Sequence, residues 1–417
     1  MRSDKMFFKN RNIIKQLKEL IKTRPVTYLN GGRQTGKSTL CSHLSEKINY
    51  ITFDSPLILA SAKSEPETFV KSLPKNILNV IDEVQSAPEI FPYLKMQVDK
   101  NRMEGNTEQR FLLTGSANLM ALPKLSEALA GRMSVLTLYP FSAGEYQETD
   151  ISFIDRLFNE ELSIKSYGSY DILEIIKSAS YPEIAIDRKI DRIKWFDSYL
   201  TTILNRDIKS LSDIKNPDYM VSLLSLLSIR TGGLLNNTEI AGEIGIDYRT
   251  YEKMLAFAVN SFLVFTVKPW ARPNKLNKRF VKSPKLYFTD CNFLSYIMKR
   301  SLDDLYAGDS RTFGHIFENF AASELIKCAK ADNIELSHYR TQAGRKADFV
   351  LENYNGDIAG IEIKSSADIN KKYLSGLHEL QELTGDKFKK GLIIYAGQDI
   401  IPLSDKIWAV PICYFWK

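Results

Sequence analysis

Gly31, then Gly36, Lys37 and Ser38 after four intervening residues, give the spacing G-x-x-x-x-G-K-S inside GGRQTGKST. Glycines so placed let backbone N–H groups approach phosphate oxygens, and the N-terminus of a following helix adds its dipole. Lys37 then reaches the β- and γ-phosphates, and the Ser38 hydroxyl ligates Mg²⁺. Gly31, Gly32, Arg33, Gln34, Thr35, Gly36, Lys37, Ser38 and Thr39 are therefore the candidate ATP-binding residues. Downstream, ILNVIDE ends in Asp82, suited to the Mg²⁺ shell, and Glu83, suited to polarising an attacking water. RFLLTGS sets Thr114 and Ser116 at a strand tip, where a hydroxyl contacts the γ-phosphate or the water. Arg132, after the glycine of EALAGRM, is placed to stabilise transition-state charge in cis or on a neighbouring subunit. The second option requires a homo-oligomer, and an ordinary surface ion pair is the alternative to both.

A second set of acids lies far downstream. Asp348 opens one apolar stretch, and Glu362-Ile-Lys364 closes the next. Alternation along a strand puts Glu362 and Lys364 on one face. Asp348 and Glu362 are candidate metal ligands, Lys364 a candidate to orient water or stabilise an oxyanion, and Glu318 a further carboxylate supplied by a helix. This is the D…E-x-K constellation of metal-dependent nucleases. Three outcomes stay open: cutting DNA, binding DNA without cutting, or an ion-paired strand edge.

The elements that must position these groups follow from periodicity and punctuation. VTYLN reads as a short buried strand before the glycine-rich turn, with a helix from about Lys37. Trp195, Tyr199 and Ile203 recur at helical spacing and read as core. Thr238–Gly245 and Arg249–Val259 read as two short helices, the first capped by Asn237 or Thr238, with strands in SFLVFTVKPW and RFVKSPKLYFTD after them. Two helices and a hairpin predict a winged helix-turn-helix. Lys268 to Lys285 holds Lys268, Arg272, Lys275, Lys278, Arg279, Lys282 and Lys285 without one acid, with Trp270 and Phe280 interleaved. Such a hairpin neutralises phosphates in a salt-sensitive, sequence-independent way. The last third reads as a helix over Thr312–Ala331, three strands, a helix over Lys372–Leu383 and two more strands.

GGRQTGKSTL, VIDEVQSAPEIFPYLKMQVD, FLLTGSANLM, ALAGRM and LYPFSAGEY together resemble the AAA-type ATPases of bacteria and archaea that carry a C-terminal domain similar to restriction endonucleases. SYPEIAID, WFDSYLTTILNRDI, SPKLYFTD and GHIFENF extend the resemblance over most of the chain. It implies ATP binding by Gly31 to Thr39, with Asp82 and Glu83 as the metal and water residues. One departure is Lys346, in GRKADF, where the resemblance leads one to expect an acid.

The expected fold is α/β: a P-loop AAA-type domain over residues 1–150, a helical lid over 151–230, a winged helix over 231–305 and an endonuclease-like PD-(D/E)xK domain over 306–417. The four dispersed cysteines argue against a disulfide framework or zinc site, and no stretch is apolar enough to span a bilayer. The start of the chain has no apolar secretory region, so a cytoplasmic location is expected. Net charge is only +6 over 417 residues, so its placement matters more than its total. The composite expectation is an Mg²⁺-dependent ATPase acting on DNA, branched or single-stranded. The alternative is a nucleotide-dependent switch whose C-terminal modules bind a protein partner, or bind DNA without cutting.

Overall fold

Every residue of Val26–Asn30 and of Leu78–Asp82 is buried. Strands with no solvent-facing alternation need cover on both faces, the condition met in parallel sheets. The computed structural model describes residues 8–44, 47–106, 108–116, 127–149, 151–207, 218–270, 283–341 and 344–417. In it, β1 (Val26–Asn30), β2 (Ile48–Thr52), β3 (Leu78–Asp82), β4 (Arg110–Gly115) and β5 (Met133–Thr137) form a sheet in the order β2-β3-β4-β1-β5. All its pairings are parallel. The carboxyl ends of β3, β4 and β1 thus lie side by side, so the end of β1 with its loop, Asp82 and Thr114 face one crevice. The helix Phe91–Met103 buries Phe91, Leu94 and Val98 in the core beneath, with Val26, Tyr28 and Phe111.

The chain divides into two compact units: Met1–Pro140 with Asn260–Phe262, and the remainder. The stretches expected as lid, winged helix and endonuclease-like domain all fall in the second unit, Asn260–Phe262 apart. Its helices Asp218–Ile229, Asn237–Ile244 and Tyr248–Asn260 precede an antiparallel hairpin. The cap of the middle helix is Asn236, one residue before the expected Asn237 or Thr238; its side chain accepts from the Glu239 N–H. The hairpin strands are β7 (Val264–Pro269) and β8 (Lys285–Phe288), named after a two-residue strand β6 (Lys165–Ser166). They are not a free wing. β7 pairs in parallel with β9 (Glu335–Arg340), which joins the hairpin to the C-terminal sheet. That sheet continues through β10 (Lys346–Glu352), β11 (Ile358–Lys364), β12 (Phe388–Tyr395), β13 (Asp399–Pro402) and β14 (Ile407–Pro411), with β13 an addition to the expected strands. Its order is β6-β13-β14-β12-β11-β10-β9-β7-β8. The helix Ser310–Ala331 packs against β8, β9 and β11, and the helix Ser375–Thr384 against β10, β11 and β12. Among the described residues no helix is long and apolar enough to cross a membrane.

Of the basic hairpin residues, Arg272, Lys275, Lys278, Arg279, Phe280 and Lys282 lie outside the described residues. Lys268 is exposed. Trp270 is buried and donates its indole N–H to Glu352, so it is not a platform for stacking bases.

Candidate functional site

The chain leaves β1 through Gly31, where an added Cβ would stand 2.2 Å from the Leu138 carbonyl oxygen, so only glycine fits. Gln34 and Gly36 then take left-handed φ values of 60° and 92°, and the helix Lys37–Ser42 begins. This alternation turns successive N–H groups toward one point, the geometry of an anion nest. The Thr35 hydroxyl donates to the Gly32 carbonyl at 2.9 Å and fixes the loop. Lys37 Nζ donates to the Gly31 and Gly32 carbonyls, each at 2.9 Å, so its ammonium crosses the cradle. Burial pushes the Lys37 pKa down to about 8, against the upward pull of Glu83 and Asp82. Gln34 is exposed, and Arg33 and Thr39 are half-buried.

Asp82 closes β3 and collects three hydroxyls. Ser38 Oγ and Tyr50 OH donate to its Oδ2 at 2.8 and 2.5 Å, and Thr114 Oγ1 donates to Oδ1. The Ser38 hydroxyl and the Asp82 carboxylate therefore converge, a donor set that fits a hard divalent cation. Thr114 is fully buried, and its hydroxyl is bonded to Asp82. Glu83, next in sequence, is held at a left-handed φ of 55°. A non-glycine residue in that region stores strain that surrounding contacts must sustain. Its Oε2 accepts from Gln85 Nε2 and, at 3.4 Å, from Ser116 Oγ.

Three residues of this site escaped sequence reasoning. Arg11 is 5% exposed; its Nη1 donates to the Thr35 carbonyl at 2.8 Å and its Nη2 to the Tyr139 carbonyl at 2.5 Å. It ties the phosphate loop to the chain following β5. Tyr50 and Gln85 support the two acids. Gln85 follows Glu83 by only two residues, whereas tertiary structure alone brings Arg11 and Tyr50 here.

Arg132 is placed differently from the expectation of a cis role. Met133 pairs with Val26 at the amino-terminal ends of β5 and β1, whereas the phosphate loop follows their carboxyl ends. Five strand residues span roughly 13 Å between their outer Cα atoms. The Arg132 guanidinium pairs with Asp99, Nε to Oδ1 at 2.6 Å and Nη2 to Oδ2 at 3.0 Å.

In the second unit Asp348, Glu362, Lys364 and Glu318 do come together. The register of β9 against β10 shifts between Ala347 and Val350, a bulge at Asp348 of the kind that re-aims a side chain. Asp348 is 1% exposed, and its Oδ2 accepts from the Ile363 N–H at 3.1 Å. The other partners are ammonium groups. Lys285 Nζ donates to Asp348 Oδ1 and Glu318 Oε1, both at 3.0 Å. Lys346 Nζ lies 3.0 Å from Asp348 Oδ1 and 3.6 Å from Glu362 Oε1, and Lys364 Nζ 2.6 Å from Glu362 Oε1. Tyr287 OH donates to Glu318 Oε1 at 2.7 Å. Burial alone would raise the Asp348 pKa, but Lys285, Lys346 and Lys364 outweigh it and hold the carboxyl far below its usual range. Burial and the Asp348 charge instead raise that of Glu362.

These residues do not fit the expected metal pair of Asp348 and Glu362. Lysine ammoniums sit where two carboxylates converge, and three lysines balance the charge of three acids. A divalent cation would have to eject the buried Lys285. Among the described residues no group of three or more His, Cys, Asp or Glu is arranged to hold a metal ion. Lys364 is bonded to Glu362 and to the Ile363 carbonyl. Lys285 was counted with the basic hairpin, yet it is 6% exposed and committed to these acids.

Residues 23–147 match a family described as an AAA domain. Residues 171–304 and 313–415 match two families described as domains of unknown function, DUF8612 and DUF4143. An uncharacterized protein of Mycobacterium tuberculosis is 28% identical over 410 residues, covering 97% of this chain and 84% of its own; a Mycobacterium bovis protein matches equally. Among solved structures, the Walker-type ATPase of Pyrococcus abyssi is 14% identical, covering 70% of this chain and 96% of its own at a TM-score of 0.40. A RuvB variant of Thermotoga maritima is 18% identical, covering 62% and 90% at 0.31, and the Aeropyrum pernix ORC1 protein in complex with DNA 13% identical, covering 70% and 93% at 0.28. With the loop after β1 and the acids after β3 in place, residues 23–147 are similar to AAA domains and fold as a parallel-sheet, P-loop NTPase-like domain.

Proposed function

We propose that the chain is an Mg²⁺-dependent ATPase whose second unit binds nucleic acid without cutting it. The observation that carries the ATPase reading is the convergence of the Ser38 and Thr114 hydroxyls on Asp82, beside a buried Lys37 folded across the glycine-rich loop. Incoming phosphates replace the Gly31 and Gly32 carbonyls as acceptors for Lys37. Ser38 and Asp82 would hold Mg²⁺, which offsets charge on the β- and γ-phosphates when bound. Glu83 exchanges its Gln85 and Ser116 partners for the attacking water and orients it in line with the γ-phosphate. Arg132 serves, in this reading, only a neighbouring copy of the chain.

Binding without cutting is favoured over cutting by the lysines on Asp348, Glu362 and Glu318. The test is twofold. DNA added to the protein with ATP and Mg²⁺ should raise phosphate release, and single-stranded, duplex and branched DNA should come through intact in Mg²⁺ or Mn²⁺. Cleavage that disappears in Asp348→Ala would refute the non-cutting reading. Hydrolysis indifferent to DNA, with a protein that co-purifies, would favour a protein-partnered switch.

A further inference from the structure

Within the second unit, a cavity of about 580 Å³ shares no residue with the acid cluster. Side chains of the helices Arg192–Thr202, Asp218–Ile229, Cys291–Met298 and Leu302–Gly308 line it. Its walls are largely apolar. Phe196, Leu200, Ile297 and Leu302 are buried there, while Ile193 and Val221, on two different helices, are 71% and 40% exposed. The cation that shares these walls is Arg192. Its Nη1 donates to Asn292 Oδ1 at 3.1 Å, and Asn292 is itself fixed by donating Nδ2 to the Ile176 and Lys177 carbonyls, each at 3.3 Å. Asn292 and Lys177 line the cavity as well, so this bond holds the guanidinium at its wall. Nε and Nη2 of Arg192 have no acceptor among the described residues, and neither is enclosed. The acids around it are committed elsewhere: Asp303 pairs with Lys177 at 2.7 Å, Glu174 with Arg188 at 2.7 Å, and Asp290 caps its own helix. Burial lowers the Arg192 pKa despite the upward pull of Asp290 and Glu174. A half-buried charge without a counter-ion is costly, and a ligand anion removes that cost.

The edge of Arg192 left without a partner is the one a carboxylate fits. Nε and Nη2 present parallel N–H bonds that take two oxygens at once, as Arg132 takes Asp99 in this chain. The apolar walls call for an anion with an apolar body, since a bare ion would leave them wet. A peptide suits them poorly, because helical walls have already bonded their own backbone groups and would leave its amides unpaired. The volume falls in the range of small-molecule sites, about 300–1,000 Å³. We propose that this cavity binds a small free organic acid with an apolar chain or ring, its carboxylate held side-on by Nε and Nη2 of Arg192 and its body packed among Ile193, Phe196, Val221 and Tyr296. The inference goes beyond the ATPase and nucleic-acid readings and stands if either fails.

The experiment is isothermal titration calorimetry of the full chain, without nucleotide or divalent metal, against octanoate, acetate and octanol. Acetate has the charge without the chain, and octanol the chain without the charge. Octanoate should bind at least about tenfold more tightly than either. Arg192→Gln should weaken octanoate about tenfold and leave octanol unchanged. Because Arg192 also bonds to Asn292, circular dichroism melting checks that this variant folds. Ile193→Glu and Ile193→Lys supply a second readout that folding does not limit, since Ile193 is largely exposed. The first should weaken octanoate about tenfold by repulsion, and the second should not. Octanoate binding that is absent, that octanol or acetate matches, or that survives both Arg192→Gln and Ile193→Glu overturns the proposal.

Discussion

Arg132 grips Asp99 with two hydrogen bonds at the amino-terminal end of β5, while Lys37 lies beyond the carboxyl end of β1. The two cannot meet on one phosphate within this domain. If Arg132 serves a neighbour, Arg132→Ala protein should bind ATP normally yet hydrolyse it at least about tenfold more slowly. Mixing it with Lys37→Ala protein should then restore part of the activity, because each supplies what the other lost. A mixture no faster than its components, measured by phosphate release, rules the trans role out.

Lys37→Ala should reduce hydrolysis by at least about 10²-fold, because its buried ammonium lies across the glycine-rich loop, bonded to the Gly31 and Gly32 carbonyls. Thr114→Val should leave ATP affinity nearly unchanged and lower kcat about tenfold, since the hydroxyl reaches only Asp82 and removes one hydrogen bond that orients it. A Thr114→Val protein that loses ATP affinity as well would mean that the hydroxyl touches nucleotide after all.

Lys285→Met tests the carboxylate cluster without reference to DNA. Removing a buried ammonium leaves Glu318 without its cation and Asp348 with Lys346 alone within 4 Å, at a cost of about 3 kcal/mol in urea unfolding. In nucleotide-free buffer, Mn²⁺ should raise the Tm of the variant and not that of the wild type. An equal rise in both would show that the wild-type cluster takes metal with its lysines in place.

Asp309 caps the helix Ser310–Ala331, which carries Glu318. Its carboxylate accepts from Thr312 N and Oγ1 and from Arg300 Nη1 at 2.9, 2.8 and 2.7 Å. These bonds, the Thr312 N–H first, hold its pKa well below the usual carboxylate range. A depressed acid contributes stability above its unfolded pKa, and loses it as pH falls through the folded one. The Tm gap between wild type and Asp309→Ala should therefore be full at neutral pH and close below about pH 3. A gap independent of pH would assign the effect to helix packing.

Gly376 sits where the helix Ser375–Thr384 crosses β10, and a Cβ there would fall 1.7 Å from the Lys346 carbonyl oxygen. Gly376→Ala should cost about 3 kcal/mol in denaturant unfolding, at the upper end of overpacking penalties, because backbone rather than a flexible side chain must move. A near-neutral change would mean that the helix slides freely over the strand.

The phosphate loop was legible in the sequence because its chemistry is contiguous. Nine residues from Gly31 to Thr39 encode their own turn, and the flanking strand and helix follow from local pattern. Asp82 and Glu83 were legible as well, because a buried strand ending in acids must present them at its tip. The same reasoning found Asp348, Glu362 and Lys364, but not their partners. Lys285 lies 63 residues before Asp348, and it reaches that carboxylate only because β8 joins the sheet through β7. The bulge at Asp348 and the register that sets Lys346 against Arg340 are also products of strand pairing. Which cation a carboxylate meets is a question of distance across the fold, and sequence spacing carries no information on it. The chain by itself determined a nucleotide cradle; only the tertiary structure decided that its second acid cluster is closed by lysines.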